Sequence, residues 1–379
     1  MRGAAAARRL GAPTARLVLR GLVAVGTTRW PDHSRLFALG DRNSWSVEED
    51  AAHLSAAARR LGFEVGPARW APHAERQAVF HASHFEALSP RWLGSSHRLG
   101  TAYLHGRPGT PGYPEFDLSY ETLRRQPDRL ACIQVTHAEM HELVLSAGVD
   151  PGRVFRIPIG IDIENFALVD TYRRAEARRA LDLGESAFVV GSFQKDGVGW
   201  GEGLEPKLVK GPDVLVAALE AVRARAPELV VLLTGPARGY VRRELDRLGV
   251  PFRHVLARTR GELARAYHAL DAYVVASRQE GGPKGVLEAM AAGVPLVTTR
   301  VGQASDLVEQ GRNGFLVDVE DAEEIADAVL RLRDDRAVAG AMTAEARATA
   351  ERFAYELLDP AWEELLRALV VGGGRHGSR

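Results

Sequence analysis

The stretch AYVVASRQEGGPKGVLEAMAAGVPLVTT, residues 272–299, decides the fold. It opens with an unbroken apolar run, Ala272–Ala276, and crosses a loop rich in glycine and charge. It then enters a helical segment, Val286–Ala292, and ends in a second apolar run, Leu296–Thr299. Strands with no polar face must be covered on both sides, which marks a parallel sheet flanked by helices. The same alternation extends in both directions. Downstream, a strand fits Phe315–Val317 and helices fit Ala322–Leu332 and Thr343–Phe353. Upstream, strands fit Ala187–Phe193, Leu229–Thr234 and Arg253–Leu256, with helices over Pro212–Ala224 and Gly261–Leu270. An earlier series fits strands at Arg35–Leu39, Phe63–Val65, Ala78–His81, Thr101–Leu104, Ala131–Thr136 and Val154–Ile157, with a helix over Val47–Leu61.

Two successive series in 379 residues predict two doubly wound α/β domains, over 35–165 and 186–354. The turn-rich, charged segment Gly160–Glu185 reads as their joint. A helix over 355–371, with Leu357, Leu358, Trp362, Leu365 and Leu366 on one face, is placed to dock on a neighbouring surface. Residues 1–34 read as a basic extension: from Met1 through Arg35, counting Arg35 itself, there are seven arginines against the single acid Asp32. A solvated extension is the plainer reading; a basic amphipathic helix making peripheral contact with the inner face of a membrane is the alternative. Lys and Arg together number 49, as do Asp and Glu, so no net charge argues for a nucleic-acid partner. One cysteine, Cys132, excludes a disulfide scaffold and fits a cytoplasmic protein.

In such sheets, ligands sit beyond the carboxyl ends of the strands. The loop after Ala272–Ala276 carries Glu280, Gly281, Gly282, Pro283, Lys284 and Gly285 ahead of a helix whose early part holds Glu288. Glycines let a ligand approach the backbone, and a helix start offers unpaired N–H groups. Each carboxylate can accept hydrogen bonds from adjacent hydroxyls of a sugar or ribose.

Glu280 and Glu288, with seven residues between them and followed by AMAAGVPLVTT, resemble the signature of the retaining, nucleotide-sugar-dependent glycosyltransferases of group 1 (family 4 type). GRNGFLVDVEDAEEIADAV (311–329), VFRIPIGIDIENF (154–166) and Lys210-Gly211 resemble further segments of the same family, in the same order. The resemblance covers most of residues 95–355. It implies the GT-B fold: two facing Rossmann-like domains with the donor in the interdomain cleft and the last helix returning to the first domain.

Carried over residue by residue, the resemblance implies that Glu288 holds the ribose, Glu280 lies near the transferred sugar and Lys210 meets the diphosphate. Gly281, Gly282, Lys284 and Gly285 would line the donor. The family's second cation, an arginine after a glycine, is replaced here by Ser192, leaving Lys195 or Lys207 to supply the charge. Lys284 is expected to meet donor phosphate or an acidic group on the sugar. His105, in Leu104-His105-Gly106, resembles the active-site histidine; His81, His84 and His137 are weaker candidates. No Asp-x-Asp motif is present, so no metal and no cofactor beyond the donor is expected.

The implied reaction moves a sugar to the hydroxyl of a glycan, lipid-linked or small-molecule acceptor, in polysaccharide or glycoconjugate synthesis. A nucleotide-sugar epimerase on the same fold, and a non-catalytic sugar-nucleotide-binding protein, are the alternative readings. Two features depart from the family. The loop Gly40–Trp45 holds one glycine, and the insertion Asp196–Pro206, carrying Trp200, is either a flap over the donor or a surface loop.

Overall fold

A computed structural model describes residues 33–41 and 45–372; the extension over 1–32, residues 42–44 and the tail from 373 lie outside the described residues. The described residues divide into two compact units, one from the part before 158 together with 358–372, the other residues 158–357.

The first unit is built on a five-stranded parallel sheet in the order β1 (Leu36–Leu39), β2 (Ala78–His81), β3 (Arg98–Ala102), β4 (Leu130–Val135), β5 (Val154–Arg156). Phe63–Val65 does not form the strand expected. Val65 makes one parallel bridge to Leu36 on the outer side of β1, with Leu36 N–H donating to the Glu64 carbonyl and Gly66 N–H to the Leu36 carbonyl. The chain thus moves outward from β1 to Val65, then returns across the sheet to β2, so the direction of winding reverses between β1 and β2.

Both faces of this sheet are covered. On one, Phe37, Val79, Leu99 and Ile133 pack with Trp70, Trp92, Leu123 and Met140. On the other, Leu36, Phe80 and Cys132 pack with Ala51, Leu54 and Ala58 of helix Trp45–Arg60 and with Leu365, Leu366 and Leu369. The expected C-terminal helix is three pieces: a 3-10 turn, Tyr355–Leu358, the helix Asp359–Arg367, and a π turn from Ala368. Leu357 is not on the buried face; it is 62% exposed. The helix is held by a two-pronged ion pair from Arg60 to Asp359 (2.9 and 2.7 Å) and by the Trp362 ring edge-on to Phe80.

The second unit has six parallel strands in the order β11-β10-β9-β6-β7-β8, where β6 is Phe188–Ser192, β7 Leu229–Thr234, β8 Phe252–Val255, β9 Ala272–Val275, β10 Leu296–Thr299 and β11 Phe315–Val317. The chain runs from β6 outward to β8, then crosses to β9 on the other side of β6. The carboxyl ends of β6 and β9 therefore flank the switch point, where such sheets take their ligands.

The segment read as a joint, 160–185, is folded into this unit. Ile161, Phe166, Ala177 and Leu183 join its core, and helix Thr171–Ala180 sends Arg174 and Arg178 to the buried Asp271 carboxylate. Helix Arg336–Glu351 starts seven residues before Thr343, because the Asp335 carboxylate accepts from the N–H groups of Ala337 and Val338 and caps it.

Candidate active site

Beyond Ser192 the chain leaves β6 through Phe193, Gln194 and Lys195; beyond Val275 it leaves β9 toward Glu280. Gln194 Nε2 donates to Glu280 Oε1 (3.0 Å) and to Ser277 Oγ (2.9 Å), and Ser277 Oγ donates to the same carboxylate oxygen (3.0 Å). Lys210 Nζ completes the group at 2.5 Å from Glu280 Oε1. Glu280 is 9% exposed. An ammonium has three N–H donors, so binding Glu280 leaves Lys210 able to meet an anion as well.

Lys210 reaches this place because its backbone is laced to the loop after β9. The Val209 carbonyl accepts from the N–H groups of both Arg278 and Gln279 (2.9 and 3.1 Å). Lys210 ends a 3-10 turn, Leu208–Lys210, and helix Pro212–Arg225 begins after Gly211. Arg278 adds a side-chain clamp: it forks onto both oxygens of Asp213 (2.8 and 2.7 Å), bonds Glu320 (2.8 Å) and donates to the Leu208 carbonyl (2.9 Å). The pairing pushes the guanidinium pKa up and holds the Asp213 carboxyl below the usual range. Arg278→Ala is expected to cost about 1–2 kcal/mol of stability, the part-exposed pair being worth less than a buried one. Lysine should not restore it, lacking the planar fork. Chemical denaturation of the parent and the two variants checks both.

Glu288 is not in the first turn of its helix: the helix runs Lys284–Ala292, and Glu288 is its fifth residue. Its carboxylate is held by side chains instead of the helix end. Arg260 Nη1 donates to Oε1 (2.8 Å) and the Tyr267 hydroxyl to Oε2 (2.9 Å). Burial, and the Glu288 charge after it, push the Tyr267 pKa far above normal, so this phenol stays a donor. A carboxylate has about four acceptor sites; two bonds leave room for a diol.

Arg260 and Tyr267 escaped the sequence reading, although a signal was present. Thr259 and Glu262 form a capping box, which starts the helix at Arg260 rather than Gly261. Seven residues apart, Arg260 and Tyr267 then share one helix face.

Two glycines of the loop pack closely against other side chains. A Cβ on Gly282 would come within 2.8 Å of Ile159 Cδ1, and one on Gly285 within 2.3 Å of the Tyr273 hydroxyl. The Gly281 carbonyl accepts from Gln303 N–H (3.0 Å). Buried Gln303 also exchanges two hydrogen bonds with the Ile159 backbone (2.7 and 3.0 Å), tying the start of this unit to the loop. Lys284 is half-buried at the helix start. Lys207 donates its backbone N–H to the Asp196 carbonyl (2.8 Å). Burial, then Lys210, lowers the pKa of half-buried Lys195. Where the family's cation is replaced by Ser192, a guanidinium arrives from the loop after β7: Arg238 Nη1 donates to the Ser192 carbonyl (2.6 Å). Arg238 is itself buried and paired with Asp196 (3.0 Å).

In the first unit, β3 ends at Ala102, so His105 lies three residues past it. Its ring packs edge-on to Phe85 and Phe116, with centroids 6.0 and 5.7 Å away. His84 stacks on Tyr103 (3.9 Å) and His81 packs against Trp92 (4.5 Å); burial holds the first well below the usual range and the second at about 3. Burial thus favours the neutral imidazole in both. His137 is buried, with Nδ1 2.9 Å from Thr136 Oγ1. His105, by contrast, is half-exposed. Among the described residues no cluster of three or more His, Cys, Asp or Glu is placed to hold a metal ion, and no helix is long and apolar enough to cross a membrane.

Two parallel-sheet units, the second with the Lys210–Glu280 pair in the loops beyond its strands, are a Rossmann-like arrangement, and comparison with known proteins gives the family. Residues 201–335 match the model of the group 1 glycosyl transferases. A D-inositol 3-phosphate glycosyltransferase 1 of Catenulispora acidiphila is 30% identical over 323 residues, 78% of this chain and 73% of the relative. A D-inositol 3-phosphate glycosyltransferase of Actinosynnema mirum is 33% identical over 261 residues, 65% of this chain; the match spans 58% of that relative's length. The crystal structure of Anabaena HepE with UDP and glucose covers 89% of this chain at a TM-score of 0.71 and 18% identity. Sucrose-phosphate synthase from Thermosynechococcus elongatus covers 89% at 0.69 and 19%. The chain belongs to the group 1 glycosyltransferase family, and its fold is the two-domain, Rossmann-like GT-B fold.

Proposed function

We propose that this protein transfers a sugar from a nucleotide-diphosphate-sugar to an acceptor hydroxyl, with retention of anomeric configuration and without a metal. The observation that carries the reading is the cluster Lys210–Glu280–Gln194 with Glu288 nearby in sequence, at the β6/β9 switch point. The ribose diol is assigned to Glu288 and the diphosphate to Lys210 and Lys195, with Lys284 meeting phosphate or an acidic group on the sugar. Glu280 faces the transferred sugar, and His105 is assigned to the acceptor side. The bond from the sugar's anomeric carbon to the diphosphate oxygen breaks as the acceptor oxygen attacks the same face. The acceptor proton leaves with the departing phosphate oxygen, whose new charge the lysines stabilise.

The acceptor we propose is a hydroxyl of a glycan, lipid-linked or small molecule in glycoconjugate synthesis. The relatives' names add an inositol phosphate to those worth trying. Glu288→Gln is expected to weaken nucleotide binding by about 1.5–3 kcal/mol, because a neutral amide loses charge-assisted bonds to the ribose. Titration of nucleoside diphosphates into parent and variant measures it. Release of nucleoside diphosphate from a panel of nucleotide-sugars, without acceptor and with EDTA present, tests the activity itself. A protein that binds donors yet never turns one over is a binder, not a transferase.

A further inference from the structure

The insertion after Lys195 is a built hairpin. Gly197 bridges Pro206 antiparallel, Val198 N–H donates to the Glu205 carbonyl (2.9 Å), and Lys207 N–H closes the base on the Asp196 carbonyl (2.8 Å). The base is anchored internally: the Asp196 carboxylate sits 3.0 Å from Arg238, with both side chains at most 2% exposed. Arg238 also bonds the carbonyls of Ser192 (2.6 Å) and Thr234 (3.2 Å).

The flank is pinned to the start of the helix after β7, Gly239–Arg247. Gly239 N–H donates to the Glu202 carbonyl (2.7 Å) and Tyr240 N–H to the Gly203 carbonyl (2.8 Å). Gly203 adopts a φ of +72°, and a Cβ there would lie 2.4 Å from the Ala237 carbonyl oxygen. What this anchored arm presents is Trp200, 52% exposed, with the Lys195 ammonium 4.3 Å from its ring centroid. Gln194, beside Lys195 in the chain, is bonded to Glu280, and burial first, then the nearby Lys210, disfavours the Lys195 charge. Glu280 offsets the Lys210 charge and Arg238 the Asp196 charge, which leaves the Lys195 ammonium as a surplus positive charge that suits an anion.

We propose that the 197–206 hairpin is a positioning arm, in which Trp200 holds the Lys195 ammonium beside Lys210 and so makes Lys195, rather than Lys207, the second cation for the donor's diphosphate. The inference rests on the donor reading above. An indole face attracts an ammonium while leaving its N–H donors available to phosphate. An exposed lysine without such a face would spread over many rotamers and lose that freedom on binding.

The test uses whichever of UDP, GDP, ADP and TDP the parent binds, with the matching sugar nucleotide for kinetics. Trp200→Ala should raise Kd and donor KM about five-fold, as the loss of a cation–π contact does, with kcat within two-fold of the parent. Trp200→Phe should stay within two-fold on all three. In a Lys195→Met background, Trp200→Ala should have no further effect, because the arm then has no ammonium to hold. An unchanged KM in Trp200→Ala, or an equal loss in the Lys195→Met background, overturns the proposal while leaving the donor site standing. A parent that binds none of the four nucleotides overturns the donor reading, and the arm's role with it.

Discussion

Lys210→Ala is expected to lower turnover by about 100–1,000-fold, the cost of removing one preorganised donor from a developing oxyanion. Lys210 is the cation bonded directly to Glu280, and its position is set by the Val209 carbonyl and the Arg278 clamp rather than by its own flexible stem. Removal also leaves the buried Glu280 carboxylate with neutral partners alone, Gln194 and Ser277. Those two bonds keep the loop formed, so the folded variant should be recoverable and its kinetics interpretable. Arginine at 210 should rescue part of the rate, because the charge returns while the reach differs. Steady-state rates of the parent and both variants, beside their melting curves, separate the chemical effect from a folding effect.

Gly211→Ala is expected to cost about 3–5 kcal/mol, combining a left-handed non-glycine residue with an overpacked contact. Gly211 has φ +59° and ψ +40°, and a Cβ there would lie 1.8 Å from the Ala276 carbonyl oxygen. Backbone must shift to relieve that clash, and the nearest backbone is the loop that presents Glu280. Against a typical total stability of about 5–15 kcal/mol the loss is large. Asparagine tolerates left-handed geometry better than alanine, yet should fare no better here because space is the dominant restriction. Urea denaturation distinguishes the two: matching losses for Ala and Asn point to the clash, and a milder loss for Asn points to φ.

The parts of this structure legible in the sequence are those encoded over short distances. The apolar runs Leu229–Thr234, Leu296–Thr299 and Phe315–Val317 are strands with the bounds expected. The segment from Ser277 to Ala292 is loop and then helix because its glycines, proline and apolar spacing say so locally. Pairing between distant segments was not legible. Val65 reads as a strand but finds one partner residue, and Thr171–Ala180 reads as linker until its arginines meet Asp271. Arg238 carries no local mark; its role follows from β6 and β7 lying side by side, which places a guanidinium from one strand's loop against Ser192 and Asp196 of the other. Glu288 is legible from its spacing to Glu280, but Arg260 and Tyr267, which hold its carboxylate from a neighbouring helix, are not.

The central claim is that a nucleotide diphosphate binds at the β6/β9 switch point through Lys210 and Glu288. The most direct measurement is calorimetric titration of UDP, GDP, ADP and TDP into the parent, Lys210→Ala and Glu288→Gln, in EDTA and at two salt concentrations. The account predicts saturable one-to-one binding of at least one nucleotide to the parent. Affinity should fall at least about ten-fold in each variant, and the salt dependence should be shallower in Lys210→Ala. Binding of equal strength in all three proteins, or none in the parent, would contradict it.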